Sequence, residues 1–291
     1  MKFWQMLSWV EVDQLVPLAK FAEELGFTGV MNSDHAVYPE EVLAPYPYSE
    51  SGRPMMEPDW PYPDCWVTIA AMAAVTTRLR FSTSVYVLPL RNVFEVAKAT
   101  GTLALMSDNR FVLGAALGWM KDEFDIYGVP FKTRARRTDE MIDVLRKLWA
   151  GGMVEHHGEF HDFPRLQIAP APEKPVPVYL GGASAPALRR VAERGDGWIG
   201  AGNTPEEVPR ILAELKRLRV EAGRDHLPFE TVIGLSTPPD LDTFRRLHDQ
   251  GMTSGVAYPF VFALGLRSSL DDKKRAMERF AKEIIRPFEN G

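Results

Sequence analysis

VPVYLGGASAPALRRVAERGDGWIGAG, residues 176–202, contains a complete folding unit. A short apolar run ends at Gly181-Gly182, a helix-length segment begins after Ser184, and a second apolar run opens at Asp196-Gly197. Strand, helix and strand in that order, with so short a connection, form a βα unit on a parallel sheet. The question is how often the unit recurs.

The same rhythm extends in both directions. Apolar strands are expected at residues 2–9, 27–33, 79–87 and 109–117 before this stretch, and at 229–237 and 252–260 after it. Helices fall between them, among them residues 12–26, whose closing Gly26 suits a helix C-terminus, and residues 133–151, where Met141, Leu145 and Leu148 share one face. Eight units argue for a closed (β/α)8 TIM barrel, one domain over residues 1–291, and the G-x-G-x-x-G fingerprint of an open dinucleotide-binding sheet is absent. Two interruptions stand out: a loop of about thirty residues after the second strand, far longer than ordinary βα connections, and a hairpin with a Pro-rich connection at residues 153–175, ahead of the fifth strand.

Composition narrows the function. The formal charge is −5 and the basic residues are spread along the chain, which disfavours nucleic acid and anionic membranes as partners. One cysteine, Cys65, leaves no disulfide framework and no cysteine-only metal site. The N-terminal residues carry no signal-peptide pattern and no apolar stretch reaches membrane-spanning length, so a cytoplasmic location is expected.

In a barrel of this kind the chemistry sits at the C-terminal ends of the strands. Asp34 and His35 follow the second strand, where the pair either caps a turn and packs or supplies a proton-handling imidazole. At the fourth-strand exit, Gly114 and Gly118 either let a planar ligand approach the backbone or simply make a tight turn. Trp119 could stack on that ligand or pack, and Glu123 could orient neighbours or open the next helix, although KDEFD, like DDKKR at 271–275, reads most simply as a charged helix surface. Gly181, Gly182 and Ser184 combine side-chain-free backbone with a helix N-terminus, an anion site suited to a phosphate. Ser84-Val85 lie at the third-strand exit, low in the pocket. His157 and His161 invite a metal reading, but no three-ligand set accompanies them, and no metal is expected. The loop from Ala36 to Pro63 carries Tyr38, Tyr46, Tyr48, Trp60 and Tyr62, an aromatic content that suits a substrate-covering lid.

FAEELGFTGVMNSDH, RFVLGAALGWMKDEF, RRTDEMIDVLRKLWAGGMVEHHGEFHDF and PVYLGGASAPALRRVAERGDGWI together resemble the luciferase-like superfamily of flavin- and deazaflavin-dependent oxidoreductases, over nearly the whole chain. The resemblance implies coenzyme F420, with FMN as the alternative, and hydride transfer to or from a small organic substrate. It implies His35 at the reactive ring edge with Asp34 orienting it, a non-prolyl cis peptide at Ser84-Val85 behind the ring, and the cofactor phosphate at Gly181, Gly182 and Ser184. Ala115 and Ala116 occupy the fourth-strand turn, where relatives often have Gly at the second position, and Trp119 replaces the catalytic Glu of the sugar-phosphate dehydrogenases. It further implies a homodimer and a separate reductase as the source of reduced cofactor. An FMNH2-dependent monooxygenase and a non-catalytic cofactor-binding protein are the rival readings.

Overall fold

The computed structural model describes residues 1–47, 49, 51–54 and 56–289. Eight parallel strands close on themselves. They are β1 (Lys2–Met6), β2 (Gly29–Asn32), β3 (Arg80–Thr83), β4 (Phe111–Ala116), β5 (Val178–Gly181), β6 (Gly197–Asn203), β7 (Glu230–Leu235) and β8 (Ser254–Ala257). Each pairs with its sequence neighbours, and β1 pairs with β8 to shut the ring. The main outer helices are α1 (Val12–Leu25), α2 (Cys65–Ala73), α3 (Val93–Met106), α4 (Arg134–Trp149), α5 (Ala185–Arg194), α6 (Glu207–Glu221), α7 (Leu241–Asp249) and α8 (Leu270–Phe280). This is the expected TIM barrel, with the hairpin Val154–His157/Asp162–Leu166 ahead of β5.

The core has two parts, as strand alternation requires. Trp4, Met31, Val112, Tyr179, Ile199, Val232 and Val256 fill the barrel, while a larger cluster packs the outer strand faces against the helices. Gly26 ends α1 as expected, with φ +90° and its N–H on the carbonyls of Ala22 and Glu23. The long loop starts α2 cleanly, because Asp64 accepts from the N–H groups of Trp66 and Val67. The connection from β8 to α8 holds a short helix that the sequence pattern does not signal, Phe260–Leu264.

Charge pattern misled in two places. Lys273 of DDKKR is only 2% exposed, its ammonium donating to Glu11 at 2.7 Å, Gln14 at 2.9 Å and the Ser268 carbonyl at 2.6 Å. It ties the start of α8 to the start of α1. Glu123 of KDEFD is likewise buried, in a short helix Lys121–Ile126 that precedes α4.

The N-terminal end of the barrel is closed by ions. Glu230 accepts from Arg80 at 2.9 Å, Tyr179 at 2.9 Å, Ser254 at 2.7 Å and Lys2 at 3.2 Å, and Arg80 lies over the Trp4 ring. Burial alone would raise the Glu230 carboxyl, but Arg80, Ser254 and Lys2 outweigh it and hold the group down at about 2. A depressed folded pKa gives stability that is complete above the unfolded value and lost as pH falls toward the folded one. We therefore expect unfolding free energy to drop between about pH 5 and pH 2, with Glu230 contributing up to about 3 kcal/mol of the change at about 1.4 kcal/mol per pKa unit. Denaturant titrations across that range should show the slope flattened in Glu230→Gln; an unchanged slope would contradict the assignment.

Candidate active site

Where the strands end, the residues two beyond a barrel-filling side chain, or four beyond it on the longer β4, continue its inward face. Met6, Ser33, Ala116, Gly181, Ala201, Gly234 and Tyr258 stand in those positions, and all are at least partly exposed. Four of the seven are Ala or Gly, so the floor of the mouth carries few large side chains. Val85 packs beside them, following the cis peptide between Ser84 and Val85. A Cβ on Gly181 would come within 3.3 Å of Val85 Cγ1 and 3.5 Å of the Ala116 Cβ. Val85, Ala116 and Gly181 are thus brought together as one surface.

On the wall beside this floor stands His35, its side chain 10% exposed. Its Nδ1 lies 3.1 Å from Glu123 Oε2, while Glu123 Oε1 accepts from the N–H groups of Ala36 at 2.6 Å and Val37 at 3.4 Å. The carboxylate that orients the imidazole is therefore Glu123. Asp34 was expected in that role, but its oxygens accept from Arg91 Nη2 at 2.8 and 2.9 Å and from Val87 N–H at 3.0 Å. Adjacent residues leaving a strand diverge, so Asp34 reaches the exit of β3 while His35 turns toward the exit of β4. Burial pushes the Asp34 carboxyl up from its ordinary value, and Arg91 and the Val87 N–H oppose the shift. The guanidinium also lies over the Tyr86 ring.

Aromatic rings surround His35. Tyr62 and Trp119 meet it edge-on at 5.1 and 5.9 Å, and Tyr46 meets Trp119 at 4.9 Å. Beyond Tyr62, Trp9 at the exit of the neighbouring β1 contacts Trp60, Tyr62 and Phe262. The long loop thus places Tyr46, Trp60 and Tyr62 over the barrel end. Tyr38 instead donates to the Met56 carbonyl within the loop at 2.7 Å; Tyr48 lies outside the described residues.

Not every candidate faces the mouth. A Cβ on Gly114 would fall 1.9 Å from the Thr83 carbonyl oxygen, so glycine here lets β3 and β4 close and offers no space to a ligand. Ala115 points outward into the helix-packing core. Gly118 turns the chain at φ +79°, against Val87 and Phe124. At the β5 exit, Gly182 has φ +108° and Ser184 precedes α5 without a side-chain capping bond, exposed at the rim. A hydroxyl and helix N–H groups reached past two glycines suit a phosphate. The histidine pair is kept apart: His157 is exposed on Asp162, whereas the backbone of His161 is held by Glu140 of α4. Among the described residues no group of His, Cys, Asp or Glu side chains could hold a metal ion.

Residues 4–240 match the family described as luciferase-like monooxygenases. The chain belongs to the luciferase-like monooxygenase family. Among its relatives, an uncharacterised protein of Mycobacterium tuberculosis is 39% identical over 272 residues, 93% of this chain and 94% of that protein. An F420-dependent glucose-6-phosphate dehydrogenase of Nakamurella multipartita is 31% identical over 278 residues, 93% of this chain and 75% of that enzyme. Among solved structures, a monooxygenase from Streptomyces bottropensis aligns with TM-score 0.80 at 18% identity, covering 99% of this chain and 100% of that one. The F420-dependent tetrahydromethanopterin reductase of Methanopyrus kandleri aligns with TM-score 0.77 at 15% identity, covering 99% of both chains. These two likenesses concern the fold, which this luciferase-like chain shares from end to end.

Removing one partner of a buried ion pair leaves the other charge uncompensated. Asp34→Ala should therefore cost about 3 to 5 kcal/mol of unfolding free energy through the stranded Arg91. Denaturant melts of the single variant and of Asp34→Ala with Arg91→Met check this; a single variant as stable as the parent would refute the pairing.

Proposed function

We propose that this luciferase-like oxidoreductase binds coenzyme F420 over the floor formed by Val85, Ala116 and Gly181, and transfers hydride between it and a small apolar or aromatic substrate. The observation that carries the reading is the His35–Glu123 pair: a histidine fixed by a buried carboxylate at the edge of a flat, side-chain-poor floor. The deazaflavin supplies a two-electron hydride acceptor or donor when bound. Gly181, Gly182 and Ser184 would hold its phosphate, and Ala116 and Val85 would support the ring.

With Nδ1 committed to Glu123, proton exchange falls to His35 Nε2. In the imidazolium form that atom would give its proton to a carbonyl oxygen as hydride arrives, leaving the neutral Nδ1–H ring, and in the reverse direction the neutral ring would accept the hydroxyl proton there. Glu123 keeps the imidazole aimed and steadies it when it carries charge, and the rings of Tyr46, Tyr62 and Trp119 exclude water from the reacting atoms. A separate reductase would supply reduced cofactor.

Two relatives more than 30% identical are named as F420-dependent glucose-6-phosphate dehydrogenases. The mouth here argues for a different substrate. Arg91 is taken by Asp34 and Arg267 by Asp59, and the walls around His35 are aromatic. Neutral ketones, alcohols or unsaturated ring compounds suit such walls better than a sugar phosphate. FMNH2-dependent oxygenation is the second reading, because the same floor would serve an isoalloxazine and the family description is that of a monooxygenase.

Titration with F420 and FMN side by side, in both redox states, decides between them. We expect tighter binding of F420; tight binding of FMNH2 with substrate-dependent oxygen uptake, and none of F420, would overturn the first reading. Loss of the proton-handling group typically costs about 100- to 10,000-fold, so His35→Ala should lower kcat within that range while F420 affinity changes little. Glu123→Gln should lower kcat less, and a His35→Ala enzyme with full turnover would remove His35 from the chemistry.

A further inference from the structure

The loop after β2 is fastened on opposite sides of the mouth, and the two fastenings differ in kind. On the β4 side, adjacent acids of the short helix Lys121–Ile126 hold two separate stretches of it. Glu123 accepts from Ala36 and Val37, and Asp122 accepts from the N–H of Leu43 at 3.2 Å and of Ala44 at 3.0 Å. Two residues beyond Ala44 stands Tyr46, whose ring meets Trp119, and Trp119 meets His35. The position of this aromatic wall therefore depends on where Asp122 holds the loop.

Residues 59–62, later in the loop, lie beside the exits of β8 and β1. There Asp59 meets Arg267 at 2.6 Å with side chains 63% and 70% exposed, and Trp60 and Tyr62 rest on Trp9. An exposed ion pair contributes little, whereas carboxylate bonds to backbone N–H groups are among the stronger hydrogen bonds. Both residues that receive the loop on this side are non-glycine residues in the left-handed region, Trp9 at φ +58° and Arg267 at φ +61°. Strand order puts β4 and β8 across the ring from one another, so one edge of the strap is held by carboxylate bonds to backbone N–H groups and the opposite edge by an exposed ion pair and ring packing on Trp9.

We propose that Asp122 is a positioning residue for this site. It fixes the segment from Leu43 to Tyr46 against Trp119, so the strap hinges on the β4 side and ligands enter where it lifts from Arg267 and Trp9. The inference rests on the reading that the mouth receives a cofactor and a substrate, but its first test needs neither.

Hydrogen exchange on the ligand-free full chain should show slower exchange in residues 36–44 than in 57–62. Arg267→Ala should accelerate residues 57–62 by about two- to fivefold, the worth of an exposed ion pair, and leave 36–44 unchanged. Asp122→Asn should accelerate residues 41–47 by about tenfold and leave 57–62 unchanged. Equal acceleration of both segments in either variant, or none at 41–47 in Asp122→Asn, would overturn the hinge. In stopped-flow binding with F420 as the probe, Arg267→Ala should raise association and dissociation rates together, keeping Kd within about twofold. Asp122→Asn should raise dissociation alone. If F420 fails to bind at all, the functional reading falls, and the exchange pattern still decides the hinge.

Discussion

One buried carboxylate organises the catalytic end of this barrel. Glu123 receives the imidazole of His35 and two successive backbone N–H groups after it, and so fixes the direction in which the chain leaves β2. A charge buried this deeply is tolerable only when its oxygens are satisfied. The three donors come from residues 35–37, and ordering that turn satisfies the carboxylate and aims the histidine at once. The start of the strap and the imidazole proposed to handle the proton are thereby set by the same group.

The two ends of the barrel show different uses of charge. At the N-terminal end, Glu230, Arg80, Tyr179 and Lys2 form a saturated network that closes the core. At the other end the inward positions are small, and the charged groups have been moved to the walls: Asp34 on Arg91, Glu123 on His35. The result is a floor with few large side chains beside acids whose charges are each paired, the arrangement expected where a ligand must be held and water kept out.

The fold was legible because it rests on local, repeated signals. Strand-length apolar runs, amphipathic helices and closing glycines such as Gly26 recur through the chain, and each is decided within a dozen residues. The placement of Asp34 and His35 at the mouth followed from that count alone. Glu123 was harder, because KDEFD has the alternating charge of a solvated helix and its partner lies 88 residues away. Lys273 was misread for the same reason, its partner Glu11 being 262 residues distant. Gly114 shows the converse error: glycine after a strand signals close approach, but only the assembled sheet reveals that the approaching group is the Thr83 carbonyl and not a ligand. Pairwise tertiary contacts of this sort leave no trace in periodicity.

The site depends most directly on the orientation of His35. Nitrogen NMR of the imidazole in 15N-histidine-labelled protein, assigned with the His35→Gln variant, reports which ring nitrogen carries the proton. Glu123 as acceptor requires the proton on Nδ1 in the neutral ring, the form less favoured for free histidine, and requires reversion toward the Nε2–H form in Glu123→Ala. A neutral His35 protonated on Nε2 in the unaltered protein, unmoved by loss of Glu123, would contradict the central claim.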